Sequence, residues 1–273
     1  MKLEGKVVIV AGAGPGIGEG VVKVLASEGA DIAVVDINEA EAKRIAEDVK
    51  KAGRKAVAVK ADLTDEEECE KVVKTTLDSL DKIDGLANIV GGLGSIRLSK
   101  DSYAFVDLTA AEWEQMFKLN LMTCFFMCKA IAPYFMERKY GKIVNTASVA
   151  AASGYGEEGM VYGCSKAAVQ YFSKSLAVTL APYNINVNIL NPGSVWTPGF
   201  HAKYTAQKRK LHPEWFVGKT DKEYFDSMVG QKRPLKRLLT PEDMGHMVAF
   251  LLSDEAQNIT GQANYVDGGA YMG

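Results

Sequence analysis

The segment VYGCSK places Tyr162 and Lys166 four residues apart, which on a helix means one turn along a single face. A tyrosine titrates near pKa ~10, so it exchanges a proton with a substrate near neutrality only where something stabilises the phenolate. The positive charge of Lys166 is suited to that. The run GKIVNTA precedes this helix, and Ser148 stands just past its carboxyl end, where a hydroxyl can hold a substrate oxygen. A second Tyr-x-x-x-Lys, Tyr204 to Lys208, acts as a control. It follows no strand, has no serine at a strand end before it and falls in an irregular insertion, so it reads as a chance pair. For Tyr162 alone, a half-buried aromatic with a snorkelling lysine would be explanation enough, but that alternative leaves Ser148 unexplained.

A second constellation lies near the amino terminus. AGAGPGIG, residues 11–18, follows one apolar run and opens a helical one. Gly12, Gly16 and Gly18 allow a tight turn and close phosphate approach, and with Ile17 they lead into the amides of a helix start, which favour an anion. Eighteen positions after Gly18, the run DIAVVD ends in Asp36. A carboxylate there accepts hydrogen bonds from a ribose diol and repels a 2'-phosphate, which favours NAD over NADP. Neither Pro15 nor Ile37 supplies the cation a 2'-phosphate would want. The competing reading of Asp36 is a cap on the helix that starts near Asn38.

The elements that must position these groups alternate regularly. Short β-branched runs (KVVIVA, DIAVVD, KAVAVKA, DGLANI, GKIVNTA, INVNIL, ANYVD) are separated by helical periodicity over 16–29, 38–52, 65–80, 110–139, 160–181 and 241–253. That rhythm predicts an α/β fold: one doubly wound, Rossmann-like parallel sheet of about seven strands with helices on both faces, and ligands at the carboxyl ends of the strands. The whole chain, 1–273, reads as one domain. The one break is the aromatic-rich insertion 198–232, expected either as a lid over the ligand or as a helix pair at a subunit contact.

With 273 residues, 47% hydrophobic side chains and a net charge of -2, the chain can bury a large core and carries no electrostatic footprint for nucleic acid or an anionic membrane. The N-terminus lacks a signal-peptide pattern, and the apolar stretch LMTCFFMCKAIAPYFM is broken by Lys129 and Pro133. A cytoplasmic protein with a buried helix there is expected. Cys69, Cys124, Cys128 and Cys164 lack Cys-x-x-Cys spacing and the three histidines lack zinc spacing, so buried reduced thiols and no metal are expected.

Taken together, these motifs resemble the short-chain dehydrogenase/reductase family over nearly the whole length. Gly12-x-x-x-Gly16-x-Gly18, Asp62-Leu63, Asn120 in KLNL, Ser148, Tyr162-x-x-x-Lys166, Pro192-Gly193 and the VDGG from Val266 occur in the family's order. The resemblance implies a nicotinamide-dependent oxidoreductase. Tyr162 would be the general acid/base, Ser148 would orient the substrate, Lys166 would bind the nicotinamide ribose and tune Tyr162, and Asn120 would maintain a proton-relay water. It further implies that Asp62 and Leu63 contact adenine, Asn88 the adenosine side, and Val195 and Thr197 the nicotinamide carboxamide. The alternatives are that Asp62 caps a helix and that Asn88, Asn120 and Thr197 satisfy backbone groups. A homotetramer built partly on helices 110–139 and 160–181 is implied as well.

Three departures stand against the family pattern. Ala11 replaces a threonine that would tie the glycine turn to a neighbouring strand. ANIVGG replaces Asn-Asn-Ala-Gly, and the gap between Ser148 and Tyr162, holding SGYGEEGM, is one residue longer than is common. The expected reaction interconverts a secondary alcohol and a ketone with NAD. A noncatalytic NAD-binding subunit or redox sensor, or a dehydratase or epimerase on the same scaffold, are the alternatives. Eight basic against four acidic residues in 199–233 fit a carboxylated or CoA-linked substrate or simply a solvated face, and the aromatics there fit an alicyclic, aromatic or steroid-like ring equally well.

Overall fold

A computed structural model of the chain describes residues 1–93, 105–154, 159–198, 200–231 and 233–272. Every predicted strand forms: β1 (Val7–Ala11), β2 (Asp31–Asp36), β3 (Ala56–Lys60), β4 (Gly85–Asn88), β5 (Gly141–Thr146), β6 (Ile185–Pro192) and β7 (Ala263–Val266). All pairings are parallel, in the order β3-β2-β1-β4-β5-β6-β7. The order reverses between β1 and β4, and the crevice at such a switch point is where open α/β sheets bind ligands.

The central strands are buried on both faces, which is why they read as continuous apolar runs rather than alternating ones. One face packs against α3 (Glu66–Leu80), α5 (Thr123–Arg138) and α6 (Met160–Leu180) through Val72, Met127, Ile131, Val169 and Ala177. The other packs against α1 (Ile17–Ser27), α2 (Glu39–Lys51) and α9 (Pro241–Leu252) through Val21, Leu25, Ile45 and Val248. Two glycines bring α1 and α9 together: a Cβ on Gly20 would lie 2.3 Å from that of Pro241, and one on Gly245 would lie 2.8 Å from Val24. This contact fixes α1, whose first turn opens toward the switch point.

The predicted helix over 110–139 is not uniform. It comprises α4 (Ala110–Phe117), a π turn over Lys118–Met122 and then α5. By length and apolar character this run would reach across a bilayer, yet Met127, Cys128, Ile131 and Phe135 are fully buried against the sheet. The insertion is also more regular than expected. It forms α7 (Phe200–Leu211), a short 3-10 turn over Pro213–Phe216 and α8 (Asp221–Gln231). Its weak periodicity arises because these short helices turn only a few apolar groups inward, Phe216, Phe225 and Val229 among them. Arg209 and Asp221 join α7 to α8 at 2.6 Å, and Lys222 and Asp226 pair along α8 at 2.5 Å, so part of the basic cluster is spent on internal ion pairs. Cys69, Cys124 and Cys128 are buried, as expected, but Cys164 is exposed.

Candidate active site

A cavity of about 1390 Å³ opens over the carboxyl ends of the strands. Single small-molecule sites occupy roughly 300–1,000 Å³, so this one has room for a dinucleotide and a second molecule together. Gly12, Ile17, Gly18 and Asp36 line it toward β1 and β2, and Ser148, Tyr162 and Lys166 line it toward β5 and α6. Asp62 and Leu63 after β3, and Val195 and Thr197 after β6, complete the predicted wall. Gly16, Asn88 and Asn120 are absent from the lining.

The glycine turn is held by backbone rather than by the hydroxyl that Ala11 lacks. Gly12 and Ala13 both donate their N–H groups to the Val35 carbonyl at 2.9 Å, tying the turn to β2. Gly12 has φ 81°, and a Cβ there would meet Val90 N and Cγ2 at 2.7 Å, so the departure at Val90 is accommodated by glycine opposite it. A Cβ on Gly18 would lie 2.0 Å from the Gly12 carbonyl oxygen. Gly16 is partly exposed, a Cβ there would lie 3.1 Å from the Thr197 methyl, and it caps α1 without a side-chain hydrogen bond. The first amides of α1 therefore have no side-chain acceptor, which suits a phosphate.

Asp36 accepts hydrogen bonds from Gly14 N–H at 2.8 Å and Asn38 N–H at 2.9 Å. It is not the cap of α2, because Asn38 fills that role by accepting from Ala40 and Glu41. The carboxylate thus bridges the glycine turn and the end of β2 at the cavity edge, where a ribose diol would meet it. Asp62 likewise caps nothing beyond its own turn. It accepts from Thr64 N–H and Oγ1 at 2.9 and 2.8 Å, and Asp65 caps α3. The donors and acceptors from Gly12 to Leu63 fit an adenine dinucleotide.

At the other end, Ser148 follows β5 and accepts from Ala150 N–H at 3.1 Å, keeping its own hydrogen available. Tyr162 and Lys166 lie on the first turns of α6. Lys166 is 2% exposed and its Nζ donates to the Thr146 carbonyl at the end of β5 at 2.8 Å. Burial brings the ammonium down to about 8, since a dry environment disfavours the charged form. Residues 155–158, within the longer gap, lie outside the described residues, and both Ser148 and Tyr162 still reach one cavity.

The side chains of Asn120 and Asn88 both find partners inside the protein. Asn120 sits on the π turn, 1% exposed, and its carboxamide accepts from Gly92 N–H at 2.8 Å and donates to the Gly92 carbonyl at 3.0 Å. Asn88 points into the core and donates to its register partner Asn145 at 2.8 Å, which donates to Ser173 of α6 at 2.9 Å. This buried polar chain runs from β4 through β5 to α6 and fixes the helix that carries Tyr162. In both cases a side-chain amide costs too much to bury without partners, and these partners lie inside the protein. Thr197 is bonded to a side chain, its Oγ1 lying 3.2 Å from His201 Nδ1.

Several residues that sequence reasoning did not single out reach the cavity, Gly14, His201, Phe225 and Arg233, and so does Tyr204 of the second Tyr-x-x-x-Lys. Tyr204 and Lys208 pair on α7 through the ring, with Nζ 5.5 Å from its centroid. His201 packs edge-on against Phe225, with centroids 4.8 Å apart. Only the aromatic richness of the insertion hinted at this wall.

Comparison with known proteins agrees with this fold. The family profile described as enoyl-(acyl carrier protein) reductase matches residues 12–271. The chain is 35% identical to 2,3-dihydro-2,3-dihydroxybenzoate dehydrogenase of Bacillus subtilis, over 99% of this chain and 98% of that protein. It is 34% identical to the oxidoreductase UcpA of Salmonella typhimurium, over 99% and 96% respectively. A solved structure of 7alpha-hydroxysteroid dehydrogenase complexed with NADH and 7-oxo glycochenodeoxycholic acid superposes with a TM-score of 0.82 at 29% identity, covering 98% of this chain and 95% of that one. The fold and site define a dinucleotide-binding oxidoreductase. The chain belongs to the short-chain dehydrogenase/reductase family.

Proposed function

We propose that the protein is an NAD-dependent dehydrogenase that interconverts a secondary alcohol and a ketone. The observation that carries this is one cavity holding Asp36 and the glycine turn at one end and Ser148, Tyr162 and Lys166 at the other. In the oxidising direction Ser148 Oγ donates a hydrogen bond to the substrate oxygen, and the Tyr162 phenolate accepts the hydroxyl proton. Lys166, poised at about 8, remains largely protonated at pH 7 and holds the phenolate down in energy. When bound, the nicotinamide supplies the hydride acceptor or donor. Gly12, Ile17, Gly18, Asp36, Asp62 and Leu63 would hold its adenosine and phosphate portion, and Lys166, Val195 and Thr197 the nicotinamide side. Asp36, with no cation beside it in the turn, supports NAD rather than NADP.

A ring-bearing substrate is supported by the aromatic wall of Tyr204 and Phe225 and by two relatives whose names give a dihydroxylated dihydrobenzoate and a hydroxysteroid as substrates. The insertion 198–232 acts as the lid in this reading, since α7 and α8 form the wall above Tyr162. Assembly into a homotetramer is part of the same proposal. Tyr171 and Val178 lie two turns apart on α6 and are 76% and 77% exposed, an apolar stripe suited to a partner copy. Light scattering would give four times the 29.6 kDa chain mass.

The test follows NADH absorbance over a panel of cyclic, aromatic and steroidal secondary alcohols, with NAD and NADP in parallel. NAD-linked turnover of a ring alcohol is the expected result. NAD binding without turnover of any alcohol or ketone would favour a noncatalytic dinucleotide-binding subunit.

A further inference from the structure

Arg233 is the largest fully buried side chain among the described residues, 2% exposed, and it lines the cavity. A guanidinium presents five donors and stays charged. Two of them are spent on backbone carbonyls, one on Ser194 and one on Arg237 at 3.1 Å. Neither carries a charge, and no carboxylate among the described residues pairs with Arg233. The two acidic groups that act on it electrostatically, Asp267 and Asp226, are committed elsewhere. Asp267 accepts from Gly269 and Tyr271 N–H groups at 2.8 Å each, and Asp226 holds Lys222.

Burying an unpaired charge is costly, and natural proteins rarely do so without a partner. Burial accordingly pulls the Arg233 guanidinium below its usual range. Arg233 lines the cavity, and its position decides which anion entering there could reach it. Ser194 follows β6, next to β5 and Ser148, whereas Asp36 ends β2, four strand spacings away. At ~4.8 Å per spacing, Arg233 stands about 19 Å along the sheet from the ribose site and one strand from the reacting end. Met228 and Val229 of α8 give the same cavity apolar surface, and Lys203 adds a second positive charge to its wall.

We propose that the substrate is a hydroxy acid: Arg233 receives a free carboxylate carried on the same ring or chain, a few atoms from the carbon that is oxidised. This rests on the dehydrogenase reading above and adds a class of substrate to it. Charge-assisted, two-pronged binding by arginine then fixes which hydroxyl faces Tyr162.

The experiment compares wild type with R233M and R233K, after circular dichroism has established that both variants are folded. Kinetics with NAD use paired substrates, a hydroxycyclohexanecarboxylate series and the matching uncharged cyclohexanols. Wild type should prefer the acids by at least tenfold in kcat/KM. R233M should lose at least tenfold more activity on the acids than on the alcohols, with R233K between the two. Calorimetry of cyclohexanecarboxylate binding to the enzyme–NADH complex is independent of turnover, so it still reports on Arg233 if no alcohol is oxidised. Binding should be present in wild type and lost in R233M.

Equal loss on both substrate classes would overturn the proposal in favour of a structural brace for Ser194 and Arg237. A weakened NADH Kd in R233M would overturn it in favour of a pyrophosphate ligand. Absence of carboxylate binding to the wild-type complex would overturn it outright.

Discussion

Asn120 holds Gly92 at both of its backbone groups, accepting its N–H at 2.8 Å and donating to its carbonyl at 3.0 Å. The π turn over Lys118–Met122 is what carries Asn120 to the loop after β4, and such turns inside helices often mark functional positions. The same carboxamide also donates toward Ser165 of α6 at 3.1 Å. One side chain therefore registers the loop after β4 against the helix that bears Tyr162 and Lys166. Replacing it by leucine should cost roughly 1–3 kcal/mol for the polar groups left without partners, or about 2–4 °C in Tm per kcal/mol. It should also lower kcat. Thermal melts and steady-state kinetics on Asn120→Leu check both, and a variant as stable and active as wild type would remove this role.

Gly91, one residue earlier, touches the other side of that arrangement. Its φ is 132°, and a Cβ would lie 2.5 Å from Asn120 Oδ1 and 2.7 Å from Lys166 Nζ. Gly91→Ala should therefore fold yet lose at least tenfold in kcat/KM as the lysine is displaced. Kinetics alongside circular dichroism separate this from simple unfolding.

Lys166 illustrates a conflict between stability and function. Its folded-state value of about 8 lies below the usual 10.5, so the unfolded chain holds the proton more tightly. The burial penalty is fully present below pH 8, shrinks as pH rises from 8 to 10.5 and is gone above that. Lys166→Met keeps the buried stem and removes the charge, so it should melt higher than wild type at pH 7, by an amount that narrows toward pH 10, while turnover is lost. Melting curves across that range check the sign, and a gap that widened with pH would contradict it.

Cofactor choice should depend on Asp36. Its carboxylate is already positioned by Gly14 and Asn38, so Asp36→Ser removes the negative charge that disfavours a 2'-phosphate while leaving a short polar group in place. The ratio of NADP-linked to NAD-linked kcat/KM should rise by at least tenfold. An unchanged ratio would mean that Asp36 only braces the turn.

Much of the architecture was legible because strands buried on both faces write themselves as short β-branched runs. Tyr162, Lys166 and Ser148 were legible because helix periodicity and a strand end place them without knowledge of side-chain packing. Asn88 and Asn120 left two readings open, since an amide that faces a ligand and one that satisfies a buried neighbour look the same in sequence. What separates them is the register pair Asn88–Asn145 and the π turn under Asn120. Arg233 was hidden for a related reason. It was one of eight basic residues in a segment where some pair with neighbouring acids and Arg233 does not, and only burial distinguishes it.

The most direct test of the account is Tyr162→Phe, which removes one oxygen and keeps the ring. NADH binding, followed by its fluorescence, should stay within threefold of wild type while kcat falls by at least a thousandfold on the best alcohol found, consistent with loss of the proton acceptor. A Tyr162→Phe enzyme retaining a tenth or more of wild-type turnover would contradict the assignment of Tyr162 and, with it, the chemistry proposed for this cavity.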